Sequence, residues 1–382
     1  MYQSMKIAQV CPYDWSRPGG VKAHIENLAI YLRKMGHEVK IIAPNVNADQ
    51  INDLNVKLIG KGRSTTLWGG TEIDINIAKG EEIEELKKYL KEEQFDLLHF
   101  HNGWTPFMTY QVRYYSKAKH IGTFHDTPAD NFLMQKFVGP ILMPLAASLV
   151  WKVADHMISV SESQSRYVKS FLAKDPTIIP NGINPEHFNT SFEPIEEYND
   201  GKFNLLFLGR FEERKGLFYT LKAFKALKAK YPDIRLLIAG DGEQKQEALD
   251  FVAENQLEDV IFLGFIDEEI KANLIRTADI LLATAIYGES FGIVLLEAMA
   301  CGTPVAGFGN EGYLNVIKSP WDEYFPTPRD LETLTNKIEK LYLNEDIRKV
   351  MSAWGIEEAK TYEWEHITNQ VFEVYEMVMS KK

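Results

Sequence analysis

Short apolar, β-branched runs alternate with longer amphipathic segments, and this alternation occurs twice along the 382 residues. Residues 6–11, 39–43, 97–100, 120–124 and 157–160 read as buried strands. Residues 21–35, with Ile25, Leu28, Ala29 and Leu32 at helical spacing, and residues 81–93, with a charged outer face, read as helices. Strands separated by helices imply βαβ units and a parallel sheet. Residues 189–202 are polar, contain Pro194 and Gly201, and read as an interdomain linker. The alternation then resumes. Residues 203–208, 234–239, 260–263, 280–283 and 304–306 read as strands, and 216–230, 244–254 and 291–299 as helices. Two helices, at about 331–343 and 364–379, close the chain. The expected fold is therefore α/β, with two Rossmann-like domains in tandem. Ligands of such sheets bind beyond the carboxyl ends of the strands, and the cleft between two facing domains is the expected site.

Bulk properties narrow the partners. With 54 acidic against 42 basic residues, the formal net charge is −12, which argues against nucleic acid, whose binding needs clustered Lys and Arg. A small anion remains compatible, because backbone amides and a few cations suffice to hold it. Cys11 and Cys301 are far apart and make neither a disulfide framework nor a zinc cluster, so a reducing compartment is expected. The N-terminus lacks a signal-peptide layout, with a strand already starting near Met5. The uncharged stretch 137–151 is shorter than the ~20 residues of a bilayer span and holds Pro140 and Pro144. It reads as a buried or interface-facing helical segment, with membrane contact the second choice.

Three motifs carry chemistry. Arg17-Pro18-Gly19-Gly20-Val21 joins the first strand to a helix and would bring backbone amides close to an anion. It departs from the Gly-x-Gly-x-x-Gly dinucleotide fingerprint, which disfavours hydride transfer. Gly209-Arg210-Phe211-Glu212-Glu213-Arg214-Lys215-Gly216 follows a strand, and its cations could clamp a diphosphate or simply pair with Glu212 and Glu213. The third motif runs from Gly288-Glu289-Ser290-Phe291-Gly292-Ile293-Val294 through Glu297 to Gly302. Glu289 would precede a helix and Glu297 sit two turns into it, while amides from Phe291, Gly292, Ile293 and Val294 cap a phosphate. Glu297 lies in an apolar run, where an unpaired carboxylate is costly, so a plain surface role fits poorly. His99, His101 and His125 lie at different strand ends without a carboxylate cluster and read as structural or substrate-facing, not as a metal site.

Together with Pro180-Asn181-Gly182-Ile183, Cys11-Pro12-Tyr13 and Thr123-Phe124-His125, these motifs resemble, in order and over nearly the whole chain, the retaining glycosyltransferases of family four, which have the GT-B fold. Within that family the chain is similar to the phosphatidylinositol mannosyltransferase group. The resemblance implies two Rossmann-like domains with parallel sheets facing across a deep cleft. Residues 1–185 would bind the acceptor, 200–360 the nucleotide-sugar donor, and a helix at 361–382 would pack back toward the N-terminal domain. It assigns Gly19, Gly20, Arg210, Lys215, Glu289, Phe291, Gly292, Ile293, Val294 and Glu297 to the donor. Ile266, Glu268 and Lys271 lie where relatives hold the base, and GDP is the first choice, UDP the second. His125, Glu289, Arg210 and Lys215 would be catalytic. Tyr13, Lys22, Asn102, His125 and Asp130 would face the acceptor.

The resemblance further implies retention of anomeric configuration, hexose transfer with mannose first, no cofactor beyond the nucleotide sugar as co-substrate, and no required metal. The acceptor would be a glycan or a lipid-linked acceptor hydroxyl, and the location cytoplasmic, with peripheral contact at the inner face of the membrane. Lys22 and Asp130 depart from the residues that hold inositol phosphate in the relatives, and Glu81-Glu82-Ile83-Glu84-Glu85 is acidic where their membrane helix is basic. A phosphatidylinositol acceptor is therefore disfavoured. The alternatives are a UDP-sugar-dependent glucosyl or N-acetylhexosaminyl transferase, a sugar-nucleotide epimerase, or an inactive sugar-binding module.

Overall fold

The computed structural model describes residues 4–16, 19–45, 53–67, 71–102, 108–125, 154–172 and 175–381. Asp130, Arg17, Pro18 and the stretch 137–151 lie outside these residues. The chain forms two compact units. One comprises Met1–Gly182 with Trp364–Lys382, the other Ile183–Glu363.

The first unit runs β1 (Lys6–Val10), α1 (Gly20–Lys34), β2 (Glu38–Asn45), β3 (Val56–Leu67), β4 (Thr71–Ile77), α2 (Glu81–Glu93), β5 (Leu97–His101), α3 (Met108–Tyr115), β6 (Lys119–Phe124), β7 (His156–Ser159), α4 (Glu162–Leu172) and β8 (Thr177–Ile178). Its sheet has the order β4-β3-β2-β1-β5-β6-β7-β8. Seven strands are parallel, and β4 pairs antiparallel to β3 at the edge. Apolar runs do not reveal β3 and β4, whose segment Lys61-Gly62-Arg63-Ser64-Thr65-Thr66 is polar. Backbone pairing needs no apolar run, and an edge hairpin tolerates charge.

Side-chain alternation along the strands splits the core in two. Ile7, Cys11, Leu97 and Ile121 face a layer containing Ile25, Leu28 and Leu32 of α1. Ala8, Val10, Leu98 and Phe100 face Leu86 and Leu90 of α2 and Val112 of α3. The first layer is completed by the last helix of the chain (Trp364–Ser380), through Trp364, Ile367, Val371, Phe372, Tyr375 and Val378. Full burial of such side chains stabilises by about 1.5–3 kcal/mol each, so this helix belongs to the core of the first unit.

The second unit contains β9 (Phe203–Leu208), α5 (Leu217–Lys228), β10 (Ile234–Ala239), α6 (Lys245–Glu254), β11 (Val260–Gly264), α7 (Glu268–Thr277), β12 (Ile280–Ala283), α8 (Ile293–Ala300), β13 (Val305–Gly307), α9 (Leu331–Leu343) and α10 (Glu345–Lys360); the last helix is then α11. Its five strands are parallel, in the order β11-β10-β9-β12-β13. Residues 189–202 belong to this unit and are not a free linker. The side chains of Arg276 and Asn273 donate to the carbonyls of Phe192 (3.3 Å) and Glu193 (2.8 Å), and Ile195 N–H donates to Thr277 Oγ1 (2.8 Å). Three helices, not two, close the chain. Dense charge and the interior Gly355 obscure the amphipathic pattern of α10. No helix among the described residues is long and apolar enough to cross a membrane.

Gly182 shows why the Pro180-Asn181-Gly182 turn needs its glycine. A Cβ there would lie 2.4 Å from Cδ2 of the Trp364 indole, closer than any real contact. Gly182→Ala is expected to destabilise the protein by about 1–3 kcal/mol or more, by overpacking the face that α11 covers. Denaturant unfolding read by tryptophan fluorescence measures it, and an unchanged midpoint would refute this account.

Candidate active site

In the second sheet the strand order reverses between β9 and β12, and the carboxyl ends of these strands carry the second and third sequence motifs. The loop after β9 is pinned to the end of β12. Thr284 Oγ1 lies 3.2 Å and 3.1 Å from the carbonyls of Lys215 and Gly216, and Ile286 N–H donates to the Arg214 carbonyl at 2.8 Å. This anchoring sets Lys215 Nζ on Glu289 Oε1, with Arg214 Nη1 3.2 Å from the same oxygen. Arg214 was not among the expected site residues. Arg210, which was, instead meets Glu212 Oε1 at 2.8 Å and keeps 63% of its side chain exposed. The other Glu212 oxygen accepts from Arg214 Nε at 2.7 Å. A cavity of about 90 Å³ opens here, lined by Lys215, Thr284, Glu289, Ile293, Val294 and Tyr313. Burial, and then the Glu289 charge, push the Tyr313 phenol well above its ordinary range.

Gly292 is the N-cap of α8, with φ of 91°, a left-handed conformation that favours glycine. It has no Cβ to strike the Tyr313 ring, which would lie 2.5 Å away. Phe291 is buried against Tyr362, so the amides of Ile293 and Val294 open the helix beside the cavity they line. No side chain caps this terminus, and its free N–H groups and dipole favour an anion.

Two turns on, Glu297 is buried. Its Oε1 accepts from Lys271 Nζ at 2.7 Å, while its buried Oε2 has no partner among the described residues. Burial pushes the Glu297 carboxyl up against the pull of Lys271. On Lys271, burial acts downward, but the charges of Glu297 and Glu268 outweigh it and hold the ammonium above its usual range. The pair is thus an ion pair with one acceptor unsatisfied, an arrangement costing about 1–3 kcal/mol unless a ligand donor meets it. Glu268 opens α7, exposed, 3.4 Å from Lys271. Ile266 is half-buried in the preceding corner.

In the first sheet the order reverses at β1 and β5. Gln9, His99, His101 and Thr123 are buried on these strands and β6, on the face covered by α1 and α11. His101 Nε2 meets Gln9 Oε1 at 2.7 Å, and His101 Nδ1 meets His125 Nε2 at 3.0 Å. Asn102 Oδ1 accepts from the His125 N–H (2.7 Å), and Asn102 Nδ2 donates to the Tyr13 hydroxyl (2.8 Å). His24 on α1 stands edge-on to His125, its ring centroid 4.6 Å away, and pairs through Nδ1 with Asn181 Oδ1 at 2.9 Å. The structure thus groups His24, His101 and His125, one ring nitrogen of each lying within 4.8 Å of the others. Lys22 sits over the Trp15 ring and 3.6 Å from Glu26. Gly19 caps α1, and Gly20 is its first residue; both are exposed, with open space where a Cβ would lie.

The site chemistry agrees with what known proteins resemble this chain. Residues 189–358 match the family described as Glycosyl transferases group 1, and residues 18–187 that described as Glycosyltransferase Family 4. The phosphatidyl-myo-inositol mannosyltransferase of Mycobacterium leprae (strain TN) is 30% identical over 376 residues, covering 98% of this chain and 97% of the relative. The chain belongs to glycosyltransferase family 4. A glycosyltransferase from Rickettsia africae has the same fold, with a TM-score of 0.78, 18% identity and full coverage of both chains. So does Anabaena Alr3699/HepE in complex with UDP, with a TM-score of 0.77 and 18% identity over 98% of this chain and all of the other. The chain is thus an enzyme of GT-B fold, a glycosyltransferase.

The histidine cluster gives this glycosyltransferase an acid-sensitive core. Burial is the first cause in each case. It lowers His24 to about 4 and His99 to about 3, and holds His101 and His125 well below 6.5, with neighbouring imidazoles adding to the shift for all but His24. A folded-state value below the unfolded one means that the unfolded chain binds more protons as pH falls below about 6.5. Stability is therefore full above that pH and lost toward pH 4, with a slope of up to about 1.4 kcal/mol per pH unit for each histidine. Urea midpoints at pH 7.5 and 5.0 should differ accordingly. Equal midpoints would mean that the four rings are not buried in neutral form.

Proposed function

We propose that this glycosyltransferase moves a hexose, mannose first, from a nucleoside diphosphate sugar to a hydroxyl of a glycan or lipid-linked acceptor, with retention of anomeric configuration. The observation that carries the donor reading is Glu297. It is a buried carboxylate with one oxygen held by Lys271 and the other unpaired, on the helix whose amide end lines a cavity with Lys215 and Glu289. The open oxygen suits a ribose hydroxyl and the amide end a diphosphate. Charged phosphate would replace the Glu289 carboxylate on Lys215 and Arg214. Glu289 is then released to accept from hydroxyls of the sugar.

On this reading Arg210, Arg214, Lys215 and the helix amides stabilise the charge that develops on the departing diphosphate. The first unit supplies the acceptor side through Tyr13, Lys22, Asn102, His125 and Asp130, the last outside the described residues. Transfer on this reading is front-face, with a donor phosphate oxygen taking the acceptor proton and no covalent enzyme intermediate. His125 orients the sugar or stabilises positive charge at its ring. A metal is not required in this scheme. The relatives' name supports mannose, and the UDP complex of a structural neighbour keeps UDP open beside GDP. Peripheral contact with the inner face of the membrane fits a lipid-linked acceptor.

Calorimetric titration with GDP and UDP, followed by a donor panel against lipid and soluble acceptors with products read by mass spectrometry, tests the proposal. Glu297→Gln should weaken nucleotide binding about tenfold or more, the scale of one charged hydrogen bond. His125→Ala and Glu289→Ala should each slow transfer about 100-fold or more. Near-normal transfer by either variant would overturn the assignment, as would transfer abolished by chelator and restored by a divalent ion.

A further inference from the structure

Three imidazoles from three elements converge under α1 and α11: His24 from α1, His101 from the end of β5 and His125 just after β6. They are 3%, 0% and 7% exposed. One ring nitrogen of each lies within 4.8 Å of the others. Two of the rings already have a carboxamide on one nitrogen. His24 Nδ1 faces Asn181 Oδ1 at 2.9 Å, and His101 Nε2 faces Gln9 Oε1 at 2.7 Å. On the other side His101 Nδ1 meets His125 Nε2 at 3.0 Å, while His24 Nε2 is buried with no partner among the described residues. An unmet buried nitrogen of this kind costs about 1–3 kcal/mol.

A metal-ligating histidine turns one nitrogen to the ion and gives its other N–H to a carboxylate or carbonyl-type oxygen. Asn181 and Gln9 stand where such oxygens belong, and either carboxamide can turn its oxygen to the ring whichever way it points without an ion. The set of three imidazoles suits a late first-row divalent ion, Zn²⁺ first, with a fourth position for water or a substrate oxygen. Tetrahedral Zn–N bonds of about 2.0–2.1 Å place ligand nitrogens about 3.4 Å apart. The His101–His125 contact is within about 0.4 Å of that, and the widest separation in the cluster has to close by about 1.4 Å at most. The two rings tilt so that their lone pairs meet at the ion, and the hydrogen between them moves to the far nitrogen of its own ring.

The geometry points to a three-histidine site for Zn²⁺ at His24, His101 and His125, which inhibits the enzyme when it is filled. In the proposed scheme transfer itself uses no metal. Zn²⁺ on His125 withdraws that ring from the sugar and sets a dication beside a centre that develops positive charge. The binding stands on the three rings, and the inhibition rests on the reading of His125 as a residue of the reacting centre.

The test uses untagged, full-length enzyme freed of metal by a chelator that is then removed. Calorimetry should show one Zn²⁺ bound per chain, and Co²⁺ in its place should give the visible absorption of a four-coordinate ion. Saturating Zn²⁺ should slow transfer roughly 100-fold or more, the loss expected for His125→Ala, and chelator should restore it. His24→Phe keeps a ring and removes both nitrogens. It and His101→Gln should each weaken Zn²⁺ binding roughly 100-fold or more. Each variant is read against its own zinc-free rate, and the Zn²⁺ concentration that saturates wild type should leave that rate unchanged. Wild-type enzyme that binds no Zn²⁺ and gives no four-coordinate Co²⁺ spectrum would overturn the inference, and this needs no variant to fold. So would Zn²⁺ binding unchanged in both variants, because the ion would then lie elsewhere. Zn²⁺ held by the cluster with transfer at full rate would overturn the inhibition. If no donor is turned over, the proposed function falls while the Co²⁺ spectrum still decides the site.

Discussion

The first unit depends on a helix that the chain reaches only at its end. The sheet face carrying Ile7, Leu97 and Ile121 is closed by α1 and α11 together, and Trp364, Val371, Phe372 and Tyr375 fill what α1 leaves. A sheet face of this size cannot stay in water, because each large apolar side chain forgoes about 1.5–3 kcal/mol when left exposed. The unit is therefore incomplete until the residues from Trp364 onward arrive. The same helix sets the polar interior. Trp364 packs edge-on to His24 and onto Gly182, and Tyr375 reaches Gln9 and His99.

The two units treat buried polarity differently, and the difference bears on ligand binding. Under α11 the groups are neutral; a chain of hydrogen bonds links Thr123 to His125, while His24 Nε2 beside it has no partner among the described residues. In the second unit the groups are charged. Glu289 holds Lys215 and Arg214, and Glu297 holds Lys271 with one oxygen to spare. A charge pair taken out of water recovers its desolvation only if its remaining lone pairs are met. The charges of the second unit are thus paired with one another, with one acceptor unmet. On the proposed donor reading, a diphosphate with ribose hydroxyls supplies what each group lacks.

Much of this was legible in the sequence, for a local reason. β1, β5, β9, β10 and β12 are buried on both faces and read as unbroken apolar runs, and α1, α2 and α9 show their periodicity. The motifs at Gly209–Gly216 and Gly288–Gly302 stood out because charge at the end of an apolar strand is unusual. What stayed hidden has non-local causes. β3 and β4 pair through backbone. The segment 189–202 docks because side chains of α7 receive its carbonyls. Tyr313 and Tyr375 look like ordinary core aromatics until the cavity and the Gln9 contact, 366 positions apart in the chain, are seen.

The arginine motif shows how far sequence reading can take a site. Arg210 and Arg214 both follow β9, and order alone does not say which faces the cavity. The fold decides it, because the Arg214 carbonyl accepts from Ile286 and its guanidinium then reaches Gly288 and Glu289. Glu212 takes one arginine on each oxygen, so the exposed Arg210 is tied to the buried side of the loop through a single carboxylate. A guanidinium is a planar fork that carries its charge at any working pH. On the proposed donor reading, the exposed fork of Arg210 meets an arriving diphosphate first, and Arg214 joins it as the phosphate displaces Glu289.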